Sequence, residues 1–181
     1  VTTMGPRSQA QPRGRAEPVE AEMPLGRYLA STEKRVRDRA IRSLAAFVLM
    51  RAQEGGLSMS PAELSKLWKG LFYCFWMSDK PLVQQQLAQE LSELVLMVAG
   101  IDTRSDEAQV ASLRHALAAL DFYQGFWHTM QAEWLGVDKF RIDKYYLLMR
   151  RFLQAGCQLL LVYGCDALLV ERYVHLSLIH I

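Results

Sequence analysis

The chain has 181 residues, of which 51% are hydrophobic, 22% charged and 10% aromatic. A wholly disordered chain would be far poorer in apolar residues, so the composition indicates one folded domain, alone or with a tail. The net charge is only +2, because 21 basic residues face 19 acidic ones, which excludes a histone-like global charge. Any affinity for nucleic acid must therefore come from how the charge is distributed.

The two ends of the sequence differ from its middle. Residues 1–27 hold four of the six prolines and almost no large apolar residue, which predicts a disordered tail. Since the chain begins with Val1, we expect a fragment or a translated upstream stretch, and no apolar run of the signal-peptide kind follows it. Residues 176–181 read like a translated cloning adapter, and we expect a non-native artefact there. The helical domain is expected over residues 28–175, truncated at its C-terminus.

Helical periodicity predicts six helices. The first, about residues 32–53, follows Ser31 as a candidate N-cap. A second, to about Met77, is predicted by the run Ser60-Pro61-Ala62-Glu63, because Ser60 can accept a hydrogen bond from the Glu63 amide and proline suits the first helical position. The others are expected at about residues 81–99, 106–135, 138–154 and 156–174, with Gly100 ending the first of these four and Asp138 capping the third.

The fold class predicted from these helices is all-α, since no segment shows strand alternation or a hairpin signal. Several helices are apolar on two faces, which is typical of an antiparallel helical array or solenoid-like bundle. The apolar run 152–170 is long enough to cross a membrane, but Gln154, Gln158 and Asp166 interrupt it. We therefore expect buried helices there and no membrane partner.

Motifs for chemistry are missing from the sequence. It has no phosphate-binding glycine loop, no nucleophile elbow, and no Cys/His pairs at zinc spacing, so we expect no enzyme, cofactor, metal or small-molecule substrate. Three widely spaced cysteines do not form a disulfide framework and fit a reducing compartment; Cys157 and Cys165 are expected to be buried thiols. For Asp138 and Asp143, helix capping and salt bridging are favoured over acid–base chemistry.

Charge is segregated along the chain. Residues 31–51 carry six basic and two acidic residues, and residues 138–151 carry five and two, whereas residues 52–110 carry four and eight. Two basic helices are therefore expected, with residues 52–110 as a compensating acidic stretch. Such helices are candidates for contact with a polyanion or with acidic partner proteins.

The first basic helix places Arg35, Arg39 and Arg42 on one face, opposite its apolar stripe, at 100° per residue. This pattern is typical of phosphate contact, because each guanidinium offers a bidentate fork. A merely solvated helix face is the alternative. Arg37 projects into the apolar arc instead, and we expect it to form a structural ion pair with a carboxylate.

The second helix carries an aromatic run from Trp68 to Trp76 that is expected to be mainly core. Tyr73 is the exception, since it falls between Lys66 and Lys69 on the more polar side, where base stacking is conceivable. The candidate contact residues for RNA or a partner are Arg35, Arg39, Arg42, Lys66, Lys69, Tyr73, Lys139, Lys144 and Arg151.

Three stretches carry a family resemblance: STEKRVRDRA at 31–40, LWKGLFYCFWMSDKP at 67–81, and FWHTM followed by EWLGVDKFRIDKYYLLMRR within 126–151. Over about residues 27–155 the chain resembles the eukaryotic ribosomal RNA processing protein 1 family, nucleolar factors for assembly of the large ribosomal subunit. The match weakens from Ala155 to His175, and the family's long basic C-terminal extension is absent.

The resemblance implies an α-helical, non-enzymatic protein of the nucleus and nucleolus. Such a protein would bind large-subunit pre-ribosomal particles, meaning pre-rRNA and other assembly factors, and would help pre-rRNA processing. No catalytic residues carry over. The alternative function is a helical protein–protein interaction module without direct RNA contact.

Overall fold

The computed structural model describes residues 25–53, 59–101 and 112–179. These residues form seven α-helices and no strand, so the predicted all-α class is confirmed. The helices are α1 Leu25–Leu29, α2 Lys34–Gln53, α3 Pro61–Trp76, α4 Pro81–Val98, α5 Leu113–Glu133, α6 Ile142–Val162 and α7 Ala167–Ile179, with a 3₁₀ turn at Trp134–Gly136 after α5.

Local signals place several helix ends where the sequence predicts them. At the start of α3, Ser60 and Glu63 form a reciprocal capping box: the Glu63 amide donates to Ser60 Oγ (3.3 Å) and the Ser60 amide donates to Glu63 Oε2 (2.8 Å). At the end of α4, Gly100 adopts a left-handed backbone with φ of 71°. Its conformation lets the Ile101 amide donate back to the Leu96 carbonyl at 2.9 Å, which closes the helix.

The predicted break near residue 155 is wrong, because α6 runs without interruption to Val162. Gly156 lies inside this helix and serves packing: a Cβ there would meet Tyr173 Cε2 at 2.7 Å and Tyr123 Cζ at 3.1 Å. The chain turns instead at Gly164, whose φ is 62°. The glycine that ends the helix is therefore the one with a left-handed backbone.

The start of α6 also differs from the prediction. The helix begins at Ile142, one turn later than expected, and Asp138 caps the turn before it by accepting a hydrogen bond from the Phe140 amide at 2.9 Å. Arg141 forms an ion pair with the same carboxylate. Asp138 thus has a capping role, but it caps the turn that precedes α6 and not α6 itself.

The predicted ends of the domain are only partly described. Most of the expected tail, residues 1–24, lies outside the described residues, as do 54–58, 102–111 and 180–181. The tail's last residues belong to α1, a helix that the sequence analysis did not predict, and Leu29 in it is completely buried. Leu176, the first residue of the suspected artefact, lies on α7 and is buried in the core.

The core is centred on α4, which packs against α2, α5 and α6. Aromatic rings of α3, α5 and α6 meet beside it: Trp68 Nε1 donates to the Phe122 carbonyl at 2.9 Å, and the Phe126 and Phe152 rings stack with centroids 3.7 Å apart. The aromatic run of α3 is therefore core, as expected. Among the helices described, none is both long and apolar enough to cross a membrane.

Candidate binding surfaces

The arginine face of α2 consists of Arg35, Arg39 and Arg42. All three side chains are exposed, and they project opposite the buried stripe that includes Ala40 and Leu44. In the described part of the chain, none of the three guanidinium groups forms an ion pair or a hydrogen bond. They are therefore three cationic forks, spaced four and three residues apart on one helix face, that remain available to a ligand.

Arg37 is buried, as expected, at 7% exposure, but its partners are not the predicted carboxylate. Its Nη1 donates to the carbonyls of Ser31 (2.8 Å) and Thr32 (2.9 Å), and its Nη2 donates to the carbonyl of Met77 (3.3 Å). The expected ion pair is wrong because the stripe on α2 faces the end of α3, where backbone carbonyls have no intrahelical partner.

Lys144 does not lie on the surface, so the contact expected for it does not fit the structure. Only 7% of the residue is exposed, and its Nζ donates to the carbonyls of Trp76 (2.7 Å) and Ser78 (2.9 Å). Burial, and to a lesser degree the charge of Arg141, lowers the pKa of Lys144 to about 8. This lysine is a structural cap on the C-terminal end of α3.

The carbonyls of residues 76–78, here named the α3 carbonyl end, thus receive donors from two basic helices, through Arg37 of α2 and Lys144 of α6. A third donor comes from α4, because Gln84 Nε2 donates to the Ser78 carbonyl at 2.9 Å. The negative end of the α3 dipole is therefore satisfied by two buried cations and one amide.

Lys69 and Tyr73 of α3 both contact Glu133, the last residue of α5. Lys69 Nζ lies 3.1 Å from Glu133 Oε1, and the Tyr73 hydroxyl donates to Glu133 Oε2 at 3.2 Å. The hydrogen bond to Glu133 raises the pKa of Lys69. The structure therefore brings these two candidates together with an acid that was not among the candidates, while Lys66, also on α3, is exposed.

The remaining candidates are Lys139, on the connection before α6, and Arg151, in the middle of α6. Lys139 is exposed and its Nζ lies 5.1 Å from the centroid of the Phe140 ring. Arg151 Nη1 donates to Gln154 Oε1 at 3.2 Å. Arg141, which was not a candidate, is more tightly placed: its guanidinium lies 4.4 Å from the Trp76 ring centroid. Sequence periodicity gives no signal for that contact, because it joins two distant segments.

An apolar groove of about 300 Å³ opens between the end of α5 and α6. Leu135, which is part of its lining, is 98% exposed, and Phe140, on the connection that leads to α6, is 85% exposed. The Tyr146 ring extends the groove, since its centroid lies 5.6 Å from that of Trp134. The groove is lined by Trp127, Met130, Gln131, Trp134, Leu135 and Met149.

The cysteines are free, and two of them are exposed. The expectation of buried thiols is wrong for Cys157 and Cys165, because Cys157 lies on the outer side of α6 and Cys165 follows the turn at Gly164. Cys74 is buried, and burial raises the pKa of its thiol to about 11. In the described ranges, no group of three or more His, Cys, Asp or Glu side chains is placed to hold a metal ion.

The fold is a helical domain whose described part carries two candidate binding surfaces, namely the arginine face and the apolar groove. Residues 20–179 match the family model described as nucleolar protein, Nop52. The chain belongs to this family of nucleolar proteins, which agrees with the localisation that the resemblance implies.

Named relatives from two organisms support the same family. The chain is 37% identical over 160 residues to ribosomal RNA processing protein 1 homolog A of Homo sapiens, a match that covers 88% of this chain and 32% of that protein. It is 42% identical over 140 residues to homolog B of Mus musculus, covering 77% and 17%. The chain thus spans a third or less of the length of these curated relatives, and the resemblance found in the sequence is confirmed.

Proposed function

We propose that this chain is a non-enzymatic assembly factor of the large ribosomal subunit, that it acts in pre-rRNA processing, and that it binds pre-rRNA through the arginine face of α2. The names of its relatives, which are ribosomal RNA processing proteins, and the nucleolar family support the process. The observation that supports the residue assignment is the exposure of three aligned arginines without a carboxylate partner in the described residues.

The arginine face suits a nucleic-acid backbone in both geometry and charge. Arg35 and Arg42 are seven residues apart, so the face extends about 10 Å along the helix at 1.5 Å per residue. A guanidinium binds phosphate oxygens bidentately and stays charged at any relevant pH. Asp38, the one acid within α2, is already paired with Lys34 at 2.5 Å. Glu90 and Glu93 of α4 line the same cleft as Arg42, but they accept hydrogen bonds from Gln86 and Gln89 instead of pairing with it.

The other candidate residues are expected to contribute unequally to RNA binding. Lys66, Lys139 and Arg151 are additional phosphate contacts in the proposal, although Arg151 must share its guanidinium with Gln154. Lys69 and Tyr73 contribute less, because Glu133 engages both of them. Lys144 has no place in the proposal, since its ammonium is directed at the α3 carbonyl end.

The test is RNA binding by the chain and by a triple variant, Arg35→Glu with Arg39→Glu and Arg42→Glu. Binding of a labelled single-stranded pre-rRNA spacer fragment is measured by fluorescence anisotropy over a range of salt concentrations. Three phosphate contacts to a single strand predict a slope of log affinity against log salt of about −2, and the variant should lose this slope and at least about tenfold in affinity.

A control variant changes the net charge by the same amount elsewhere: Lys80→Glu with Arg114→Glu and Arg150→Glu, all exposed positions. It should bind within a few-fold of the unchanged chain. Equal losses in both variants would mean that overall charge, not the arginine face, governs binding. Unchanged binding by the arginine variant would refute the residue assignment.

The alternative, a helical module for protein partners without RNA contact, is favoured by one observation, the apolar groove. Binding through such a groove would resist salt, whereas phosphate contact weakens as salt rises. The two surfaces lie on different helices, so one chain can carry both activities.

A further inference from the structure

Two apolar side chains project from the connection between α5 and α6. Leu135 is 98% exposed and Phe140 is 85% exposed, so almost all of the apolar surface of both residues faces water. Single exposed apolar residues are common on soluble domains, but contiguous apolar surface marks an interaction site. Leu135 is part of the lining of the apolar groove, and Phe140 follows it on the same connection.

This connection is held in place by specific contacts. The Asp138 carboxylate accepts from the Phe140 amide at 2.9 Å and pairs with Arg141. The Arg141 guanidinium in turn lies over the Trp76 ring of α3 at 4.4 Å. Because these contacts fix the backbone on both sides of Lys139, Phe140 is presented in a defined position, which reduces the entropy that a partner must overcome on binding.

The groove continues along α6 as an apolar stripe. Met149 lines the groove, and Tyr146 and Leu153 lie three residues before it and four after it, each 43% exposed. This spacing places the three side chains along one side of the helix. A groove between two helices, lined by tryptophan and methionine and extended by such a stripe, is the shape that receives an amphipathic helix through residues at i, i+3, i+4 and i+7.

The exposed charges near the groove in sequence have a net positive sign. Lys139 and Arg150 are exposed, and no ion pair engages either of them in the described part of the chain. The acids closest in sequence to the groove are occupied, Glu133 by Lys69 and Asp138 by Arg141. Asp143 is the exposed exception, so the rim carries two available cations and one available anion.

From this geometry we propose that the apolar groove docks an amphipathic helix of a partner protein, apolar on one face and flanked by aspartate or glutamate. The apolar side chains of the partner would fill the space between Trp127, Trp134 and Met149, beside Leu135 and Phe140. Its acidic residues would pair with Lys139 and Arg150, which sets orientation and specificity. The inference names a partner class for the proposed assembly function and does not use the arginine face.

The experiment uses three synthetic 18-residue helices as probes. One carries leucines at i, i+3, i+4 and i+7 with flanking glutamates, the second replaces the glutamates by lysines, and the third replaces the leucines by serines. Affinity is measured by anisotropy of the labelled peptide, and the site by the four indole NH signals of the chain in NMR. We expect the acidic probe to bind at least tenfold more tightly than the other two and to shift the signals of Trp127 and Trp134.

Variants locate the site. Leu135→Ser with Phe140→Ser should weaken binding of the acidic probe at least tenfold, and the near-complete exposure of both residues keeps the fold intact. The matched control is Leu82→Ser with Leu161→Ser, at positions that are 79% and 71% exposed on other surfaces, and it should bind like the unchanged chain. Lys139→Glu with Arg150→Glu should reverse the preference between acidic and basic probes.

Several results would overturn the proposal. These are binding without preference for the acidic probe, no binding of any probe, or unchanged binding by the serine variant at Leu135 and Phe140. Concentration-dependent dimers that the same serine variant abolishes would instead assign the groove to a second copy of the chain. Because Lys139 is also a proposed phosphate contact, competition by RNA is tested in Lys139→Gln, and competition that persists there would assign the groove to nucleic acid. The arginine-face variant should bind the acidic probe normally, so failure of RNA binding is distinguishable from failure of docking.

Discussion

Gly125 lies where α5 packs tightly against Trp68 and Leu64 of α3, and replacing it with alanine tests that packing. A Cβ at this position would lie 2.5 Å from Trp68 Cδ1 and 2.9 Å from Leu64 Cγ. The indole cannot turn away, because it is 2% exposed, donates to the Phe122 carbonyl at 2.9 Å and is surrounded by aromatic rings. Gly125→Ala should therefore push the two helices apart.

The expected change in the unfolding free energy of Gly125→Ala follows from two opposed effects. Alanine favours the helical backbone over glycine by about 1 kcal/mol. Against this, the shortest contact must lengthen from 2.5 Å to the ordinary 3.4 Å, a movement of 0.9 Å in a core of packed rings. Overpacking of this kind costs about 3 kcal/mol, the upper end of its usual range, because neighbouring contacts also loosen. The variant should thus lose about 2 kcal/mol of unfolding free energy, or roughly 4–8 °C in Tm.

The assay is urea unfolding followed by far-UV circular dichroism, with a thermal melt alongside it. Gly136→Ala is the matched control, because a Cβ on Gly136 meets nothing within 4 Å. The unfolding free energy of this control should stay within about 0.5 kcal/mol of the unchanged chain. A Gly125→Ala chain as stable as the control would refute the close approach of α3 and α5.

Three further predictions rest on single residues. Ser60→Ala removes the side-chain acceptor of the capping box and should lower the unfolding free energy by about 1 kcal/mol, whereas Ser65→Ala, an exposed position inside α3, should not. The pKa of Lys144 is lowered to about 8 in the folded chain, whereas in the unfolded chain it is near its ordinary value of 10.5. Between pH 8 and pH 10.5 the unfolded chain therefore binds more protons than the folded chain, and the unfolding free energy should rise with pH. Urea unfolding at pH 7 and pH 10 should show this gain for the unchanged chain and not for Lys144→Met; parallel pH profiles would contradict it. Cys157 should react with a thiol reagent in the native state and Cys74 only on unfolding, because burial raises the pKa of the Cys74 thiol; equal labelling rates would contradict their placement.

Features with a local cause could be predicted from the sequence. The capping box at Ser60 and the helix end at Gly100 depend on residues a few positions away, so their patterns are visible in the chain. The exposure of Arg35, Arg39 and Arg42 is also local in this sense, because 100° per residue places them opposite an apolar stripe whatever that stripe packs against.

Features set by distant segments could not be predicted. Lys144 has the sequence context of a surface cation, and only the position of α3, more than 60 residues earlier, makes it a buried donor to carbonyls. Arg37 was correctly expected to be buried, but its carbonyl partners depend on the same packing. Gly156 lies inside α6 whereas Gly164 follows its end, and only the packing of Tyr123 and Tyr173 identifies the first as a packing position.

The α3 carbonyl end has a mechanical consequence. One short stretch of backbone anchors α2 through Arg37, α4 through Gln84 and α6 through Lys144, so these three helices share a single fixed point. The arginine face lies on α2, and α6 forms one wall of the apolar groove. Two ligands bound at these two surfaces would therefore be held at a constant separation and angle by the shared contacts of the three helices.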